Sequence, residues 1–320
     1  MKVQEIKKNY SLAFYGKHFL TLNDFTKEQI EYLIMLGIEL KKKLKQGIPY
    51  QPLKGKTLGM IFEKSSTRTR VSFEVGMIQL GGHALFLNKN DLQLGRGETI
   101  GDTAKALSRY IDGIMMRTDS QEKLNEMAKN ATIPVISGLS DIYHPTQAIA
   151  DFMTIYEYKG KLQGLTLAYV GDGNNVLNSL LIGGSKLGIN INVASPKGFE
   201  PNEEIVQSAK EEAVKHGADI KITNDPLEAV NQADIIYTDV WVSMGQEEEK
   251  ELRLKKFADY QVNSQLTKFA KKDYIFMHCL PAHREEEVAT EIMDGDHSVV
   301  FDEAENRLHA HKAILTAFMG

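Results

Sequence analysis

The chain has 320 residues, 42% hydrophobic and 25% charged, which are the proportions of a globular protein with room for two domains. The net charge of −5 at pH 7 argues against nucleic acid as the main partner. A single cysteine excludes an intramolecular disulfide, and the N-terminus has no signal-peptide or transit-peptide pattern. No apolar run is long enough to span a membrane, so we expect a cytoplasmic protein with no membrane partner.

Short β-rich runs, each followed by a longer amphipathic segment, occur in two sets along the chain. The first set lies at 57–63, 83–88, 113–117 and 133–137. The second set lies at 165–171, 191–195, 233–239 and 274–278, with 298–301 as a candidate last strand. Strands that alternate with helices predict an α/β protein of two domains, each with a parallel β-sheet flanked by helices.

A helical stretch at about 144–160 separates the two sets of strands. We therefore assign 1–147 to a first domain and 148–304 to a second, and we expect a C-terminal helix, about 305–320, to pack back onto the first. Ligands of open parallel sheets bind beyond the carboxyl ends of the strands. Since polar side chains end or follow six of the predicted strands, we expect the active site in the cleft between the domains.

The stretch 63-EKSSTRTRVSFEVG-76 places serines, threonines and arginines where a predicted strand gives way to a helix. A helix start of this kind offers backbone N–H groups, hydroxyl donors and the positive end of the dipole, which together bind phosphate. Arginine adds a fork that matches phosphate oxygens. Residues two apart do not share a helix face, so we assign Arg68 to an anion and Arg70 to packing or an ion pair. A Ser N-cap followed by surface arginines is the structural alternative.

Three further polar residues of the first half stand near predicted strand ends. Arg117 ends an apolar run, where a charge needs a partner or a ligand. His144 and Gln147 lie three apart in HPTQ, on one side of a helix that starts at a proline. His144 there either donates to a ligand carbonyl or caps the helix. The nine histidines form no spaced ligand cluster, so we predict no metal.

The run VGDGNNVLNS contains the first two glycines of a dinucleotide-binding turn. However, Val176 stands in place of the third glycine, and the next strand ends in Ser195 rather than in an acidic residue. A nicotinamide-dependent dehydrogenase is therefore disfavoured, and we predict no cofactor. Asn174 and Asn175 either hold a small substrate or form the turn.

Two more strand ends of the second half carry reactive side chains. Asp239 precedes a Ser-Met-Gly turn, where its carboxylate can face an amino group. Cys279 follows His278 at another strand end. Because neighbouring residues of a strand point to opposite faces, we do not expect His278 to activate the thiol.

Taken in order, the motifs S-T-R-T-R, H-P-T-Q, D-x-x-x-S-M-G, H-C-L-P and E-N-R-L-H resemble those of the aspartate/ornithine carbamoyltransferase family, and within it the ornithine-specific members. The match runs from about Phe19 to the C-terminus. The resemblance implies a two-domain enzyme, a homotrimer or an assembly of trimers, that makes citrulline and phosphate from carbamoyl phosphate and L-ornithine without a cofactor. It implies that domain 1–147 binds carbamoyl phosphate and domain 148–304 binds ornithine.

Carried over by motif, the resemblance implies a carbamoyl phosphate site composed of Ser66, Thr67, Arg68, Thr69, Gln93, Arg117, His144, Gln147, Cys279, Leu280 and Arg307. The first four hold the phosphate, Arg117 and His144 lie near the carbonyl oxygen, and Gln147 meets the carbamoyl amide. Gln93 corresponds to a residue that a neighbouring subunit supplies, and Arg307 completes the site.

The resemblance also implies an ornithine site that comprises Asn175, Asp239, Ser243 and Met244. Cys279 and Leu280 close the site between the two substrates. The residues implied in catalysis are Cys279, Arg117 and His144.

The choice among amine substrates rests on one loop position of the first half and two motifs of the second. Aspartate-specific members carry a lysine where this chain has Arg96, and they lack the S-M-G turn found here at 243–245. Putrescine and acetylated-ornithine enzymes also replace S-M-G. The turn, together with H-C-L-P at 278–281, therefore favours ornithine, and transfer to putrescine or aspartate is the alternative.

The chemistry requires a neutral amine to attack the carbamoyl carbon, whereas a free alkylammonium has a pKa of about 10.4. The proton acceptor is either Cys279, as the family suggests, or the leaving phosphate. Attack produces an oxyanion that needs positioned donors, and Arg117, His144 and Thr69 are the expected ones.

Overall fold

The structure is a computed structural model that describes residues 14–89, 92–93, 97–243 and 245–320, with only the backbone of Glu247. Their contacts divide the chain into two compact units. Unit 1 consists of the chain up to Met153 together with Glu305–Gly320, and unit 2 is Thr154–Ala304. The first division lies inside one helix, a few residues beyond the 147/148 boundary expected from the sequence.

The regular elements alternate along the chain as predicted. The strands are β1 (Thr57–Phe62), β2 (His83–Asn88), β3 (Gly113–Arg117), β4 (Val135–Leu139), β5 (Thr166–Val170), β6 (Asn190–Ala194), β7 (Ile220–Thr223), β8 (Ile235–Thr238) and β9 (Ile275–His278). The helices are α1 (Lys27–Lys45), α2 (Thr67–Gln79), α3 (Ile100–Leu107), α4 (Gln121–Asn130), α5 (Pro145–Lys159), α6 (Asn175–Leu187), α7 (Glu203–Lys215), α8 (Pro226–Val230), α9 (Lys250–Phe257), α10 (Ser264–Thr267), α11 (Thr290–Met293) and α12 (Val300–Met319).

Unit 1 has a four-stranded parallel sheet in the order β2-β1-β3-β4. Its core includes Ile61, Ile114 and Val135 from the sheet, with Leu124 from α4. The rings of Phe14, Phe19 and Phe25 pack around Phe318, near the end of α12, with centroids 5.1–5.8 Å from it. This aromatic cluster holds the C-terminal helix in unit 1.

Unit 2 has a five-stranded parallel sheet in the order β7-β6-β5-β8-β9. Ala168, Ile236 and Phe276 from its strands pack with Phe257 and Trp241 in one apolar core. The predicted fold class, two α/β domains each built on a parallel sheet, is therefore confirmed.

Two details of the predicted strands were wrong. We missed β7, because this four-residue edge strand is half-exposed and carries a lysine among its few apolar residues. The candidate strand at 298–301 is not a strand. Ser298 makes one isolated bridge to Phe276, and Val300 already begins α12, with Asp302 and Glu303 in the first turn, where acidic residues favour a helix.

The helix predicted at about 144–160 is confirmed as α5. Among the described residues, none of the helices is both apolar and long enough to cross a bilayer.

Candidate functional site

The serine- and threonine-rich run lies at the start of α2 in unit 1, directly after β1. Ser66 is extended and is the N-cap, and its hydroxyl accepts a hydrogen bond from the Thr69 N–H at 3.2 Å. Ser66 and Arg68 are half-buried, Thr67 is exposed and Thr69 is fully buried. The first turn thus presents backbone N–H groups, hydroxyls and one guanidinium together, as an anion site requires.

The two arginines of this run have different surroundings. Arg70 donates from Nε to Glu74 Oε1 at 3.0 Å, and its guanidinium lies 3.7 Å from the ring centre of Phe86. The assignment of Arg70 to packing and an ion pair is confirmed. Among the described residues, no carboxylate lies within ion-pair distance of Arg68. Arg68 is therefore the cation of this turn that is available to an anion.

Thr69, in the first turn of α2, contacts side chains from two distant elements of unit 1. Its hydroxyl oxygen accepts from Arg307 at 2.7 Å and from Arg117 at 3.4 Å. Arg117 ends β3 and Arg307 lies on α12, and both are more than nine-tenths buried. Two buried guanidinium groups directed at one hydroxyl create a concentrated positive field, which stabilises a bound anion.

His144 lies beside these arginines at the start of α5. Its backbone carbonyl accepts from the N–H groups of Gln147 and Ala148, and Pro145 is the first helical residue. Burial lowers the pKa of His144 well below 6.5, and the charges of Arg307 and Arg117 lower it further. The imidazole is therefore neutral at pH 7, and it can donate one hydrogen bond without adding a third positive charge.

Gln147 is fully buried, and its Nε2 donates to Asp151 Oδ1 at 2.7 Å. That bond fixes the plane of the amide and leaves Oε1 as the acceptor end. Gln93 is exposed, and it belongs with Leu92 to a short described segment between undescribed residues. Arg96, which bears on the choice of amine substrate, lies outside the described residues.

An open cavity of about 750 Å³ also borders the start of α2. Ser65, Ser66 and Thr67 line it, but so do Arg70 and Phe86. Its walls do not include Arg117 or Arg307. The convergence of buried cations, rather than the size of this cavity, therefore identifies the anion site.

The carboxyl ends of β5, β8 and β9 bring a different set of residues together in unit 2. Asp239, which is buried, accepts from Asn174 Nδ2 at 2.7 Å on Oδ2. On Oδ1 it accepts from the Cys279 thiol at 3.1 Å and from the Val240 N–H at 2.8 Å. Three loops therefore converge on one carboxylate, which can meet an ammonium group.

The turn after β5 requires glycine at two positions, for two different reasons. Gly171 has φ of +148°, a conformation that favours glycine. A Cβ on Gly173 would stand 2.4 Å from the backbone of residues 200 and 201. Asn174 then caps α6, because its Oδ1 accepts from the N–H groups of Val176 and Leu177. The backbone conformation at Gly171 and the close approach of the chain at Gly173 thus account for the glycine pattern.

Cys279 is half-buried directly after β9, and His278 does not activate it. Both ring nitrogens of His278 have other partners: Leu280 N–H donates to Nδ1 at 2.9 Å, and Nε2 lies 3.2 Å from Glu287 Oε1. Leu280 has φ of +58°, and it packs against the core of unit 2. The expectation that His278 does not act on the thiol is confirmed.

The segment after Asp239 is held to the β5 turn by a buried arginine. Arg253 of α9 donates to the Trp241 carbonyl at 3.1 Å and pairs with Asp172 at 3.0 Å and Glu249 at 2.9 Å. Burial raises the pKa of Asp172 to about 6, although Arg253 opposes the shift. This arrangement fixes the approach to Ser243, whose N–H donates to the Gln246 side chain. Met244 lies outside the described residues.

Sequence reasoning named Asn174 and Asn175 together, and in the structure Asn174 donates to Asp239. It missed two residues of these constellations, Asp172 and Arg253. Asp172 stands in the same Gly-rich turn, which is a usable signal, whereas Arg253 sits in a run of charges that is typical of a solvated face.

Comparison with known proteins agrees with this geometry. The carbamoyl-P binding domain model of the aspartate/ornithine carbamoyltransferases matches residues 17–157, and the Asp/Orn binding domain model matches residues 163–318. An ornithine carbamoyltransferase of Anoxybacillus flavithermus is 60% identical over 304 residues, which are 95% of this chain and 97% of that protein. One of Bacillus subtilis is 58% identical over 307 residues, 96% of this chain and 95% of that protein.

Among solved structures, the ornithine carbamoyltransferase of Pyrococcus furiosus superimposes with a TM-score of 0.94 at 55% identity, covering 96% of this chain and 98% of that one. The family models together account for nearly the whole chain, and the relatives align from end to end. The chain belongs to the aspartate/ornithine carbamoyltransferase family.

Proposed function

We propose that this protein transfers the carbamoyl group of carbamoyl phosphate to the side-chain amine of L-ornithine, giving L-citrulline and phosphate in arginine metabolism. The amine nitrogen bonds to the carbamoyl carbon, the bond from that carbon to the phosphate oxygen breaks, and the amine loses a proton. The observation that carries the proposal is the convergence of Arg117 and Arg307 on Thr69 beside a neutral histidine. The end-to-end identity with ornithine carbamoyltransferases supports ornithine as the acceptor.

The phosphate binds at the start of α2 in this proposal. Ser66, Thr67, Arg68 and Thr69 supply backbone N–H groups, hydroxyls and one guanidinium. Arg307 anchors Thr69 from α12. A dianion at this position interacts with the helix dipole and with the buried guanidinium groups at once.

The carbamoyl group lies toward Arg117, His144 and Gln147. The first two donate to the carbonyl oxygen and stabilise the oxyanion that develops there. A neutral His144 suits this role, because its N–H donates a hydrogen bond while its proton stays in place. Gln147 is held through Asp151 with its Oε1 as the acceptor end, which matches the carbamoyl amide.

Ornithine binds in unit 2, where Asp239 faces its ammonium group and Asn175, Ser243 and Met244 frame the amino acid. Cys279 and Leu280 close the site. The Cys279 sulfur lies 3.1 Å from Asp239 Oδ1, and a carboxylate at that distance disfavours a thiolate. We therefore assign the proton to the leaving phosphate.

The direct test is citrulline formation from carbamoyl phosphate with ornithine, putrescine or aspartate as the acceptor. Turnover with ornithine alone is expected, and a preference for putrescine or aspartate would assign the protein to a sister activity. The phosphate assignment is tested by calorimetry on Arg68→Ala, which should abolish detectable carbamoyl phosphate binding.

Arg70→Ala is the matched control for that experiment. It removes the same charge two residues away, but Arg70 is bound to Glu74 and Phe86. Its carbamoyl phosphate affinity should stay within about twofold of wild type, as for most surface substitutions. Equal affinities in both variants would remove Arg68 from the site.

We further propose that the protein is a cytoplasmic homotrimer, or an assembly of trimers, in which Gln93 completes a neighbour's site. The exposure of Gln93 supports this assignment. Gln93→Ala and Asp239→Asn should each lose most of their activity as pure proteins. After mixed refolding at equal amounts, roughly a quarter of the sites in a closed ring should pair two intact contributions and recover. Activity that stays at the parental level would mean that Gln93 does not serve a neighbouring chain.

A further inference from the structure

A second group of ionisable side chains lies in unit 2, in the turns that follow β9. One potential ligand atom from each of His283, Glu286 and Glu287 lies within 4.8 Å of the others. Glu287 is fully buried, the His283 side chain is half-exposed, and Glu286 is intermediate. The group is therefore open to solvent on one side and fixed by the core on the other.

The two carboxylate oxygens of Glu287 are in different situations. Oε1 lies 3.2 Å from His278 Nε2 and accepts from the His283 backbone N–H at 2.5 Å. Oε2 is buried and has no hydrogen-bond partner among the described residues. It lies 3.7 Å from His283 Nδ1. A buried carboxylate oxygen left without a donor is costly, so a bound positive charge at this point would be strongly stabilised.

We propose that His283 Nδ1, Glu286 and Glu287 Oε2 form a site for a divalent transition-metal ion of the zinc class. Two ligands that each stand ~2.0–2.1 Å from a common ion can be up to about 4.1 Å apart, so the 3.7 Å separation fits one ion between them. The Glu286 side chain can rotate to complete the set. Water takes the remaining position.

The ligand types and their surroundings argue for this class of ion. Imidazole together with carboxylates suits zinc, cobalt and nickel, whereas calcium requires six to eight oxygens. Metal-binding carboxylates are commonly oriented by outer hydrogen bonds. Glu287 has such bonds on Oε1. Since Leu280 N–H donates to His278 Nδ1, His278 presents its Nε2 proton to Glu287.

Sequence spacing predicted no metal, because a four-residue interval identifies a ligand pair only on a helix. Here His283 and Glu287 approach one another through a turn in which Glu285 has φ of +67° and its N–H bonds to the Val288 carbonyl.

The test is a Co²⁺ titration of the EDTA-treated full chain at about pH 7.5. Visible absorption reports the ligand field, and one Co²⁺ per chain should bind. His283→Asn and Glu286→Gln should each weaken binding at least about tenfold. Both replace side chains that are at least partly exposed, so folding should survive, and circular dichroism checks it.

His216→Asn is the matched control. Like His283, His216 has a glutamate four residues away as its neighbour, and its Nε2 lies 3.2 Å from Glu212. Among the described residues, neither His216 nor Glu212 belongs to a group of three potential ligands. Its Co²⁺ affinity should equal that of wild type. Equal affinities of wild type and His283→Asn would overturn the proposal and leave His283 as an ion-pair partner of Glu287.

Asp239, His278 and Cys279 also place potential ligand atoms within 4.8 Å of one another. Cys279→Ser distinguishes the two locations. Binding at the proposed site should survive this substitution, and the spectrum of the wild-type Co²⁺ complex should show no thiolate charge-transfer band. Loss of Co²⁺ binding in Cys279→Ser, with retention in His283→Asn, would assign the ion to the Cys279 cluster and overturn the proposal.

Discussion

The two candidate binding regions both lie at the carboxyl ends of parallel strands, but they carry opposite charges. In unit 1, two buried guanidinium groups, one from the end of β3 and one from α12, donate to the hydroxyl of Thr69, which follows β1. In unit 2, residues beyond β5, β8 and β9 place an amide and a thiol on the Asp239 carboxylate. Each site begins at a helix N-cap, Ser66 in one case and Asn174 in the other. Parallel sheets thus supply the location, and the side chains decide which ion binds there.

The regions also differ in how they manage buried titratable groups. Unit 1 keeps His144 and His311 neutral, because burial lowers both pKa values well below 6.5 and the Arg307 charge adds to the effect. Unit 2 instead buries a carboxyl group, Asp172, whose pKa rises to about 6. One region therefore excludes protons in mild acid, whereas the other takes one up. Four experiments test the differences between the two regions.

The largest expected effect is that of Arg117→Met, which removes a donor from the proposed oxyanion position. kcat should fall about 100- to 1000-fold, as for other lost oxyanion donors. The KM for ornithine should change little, because the substitution lies in the other region. Steady-state kinetics with both substrates varied would check this, and an effect confined to the ornithine KM would contradict the division of roles.

Asp239→Asn should lower kcat/KM for ornithine about 10- to 100-fold, since a charge-assisted hydrogen bond contributes about 1.5–3 kcal/mol. Carbamoyl phosphate affinity, measured by calorimetry, should remain at the wild-type value. If the kinetics with ornithine also match wild type, Asp239 has a structural role only.

Asp172→Asn should raise the KM for ornithine about three- to tenfold, because Arg253 then loses the charge that holds the segment after Asp239. Glu249→Gln is the control. It removes the charge of the second carboxylate that pairs with Arg253, and the Glu249 side chain is 54% exposed. An exposed pair contributes at most about 1 kcal/mol, so this variant should change KM less. Equal effects of the two substitutions would mean that the buried pair does not position the segment.

The smallest effect concerns stability in mild acid. Below pH 6.5 the unfolded chain protonates His144 and His311 while the folded chain does not, so the free energy of unfolding falls as the pH falls. Asp172 acts in the opposite direction between pH 3.8 and about 6, where only the folded state holds its proton. Each proton changes stability by up to about 1.4 kcal/mol per pH unit.

Urea unfolding at about pH 7.5 and about pH 5.5 measures both contributions. The loss of stability between the two conditions should be smaller in His311→Asn than in wild type, and larger in Asp172→Asn. The same loss in all three proteins would show that these groups titrate alike in the folded and unfolded states.

Local patterns along the chain predicted much of the fold and the chemical character of the sites. Alternating apolar runs located eight of the strands, because buried parallel strands are continuously hydrophobic. The STRTR run predicted an anion-binding helix start, and the assignment of Arg70 to packing and an ion pair followed from helix geometry. The five ordered motifs identified the family. Elements and helix faces depend on neighbours in sequence, so sequence spacing carries that information.

Tertiary structure decided everything that depends on distant partners. Arg307 meets Thr69 across 238 residues, which no spacing rule relates. Asn174 donates to Asp239 across 65 residues, because the fold places the ends of β5 and β8 side by side. The sequence around Arg253 is typical of a solvated surface, yet in the structure Arg253 is buried and pairs with Asp172. The sequence by itself thus determined the elements and their chemistry, whereas packing determined the pairings, since burial and charge pairing arise only when separate segments come together.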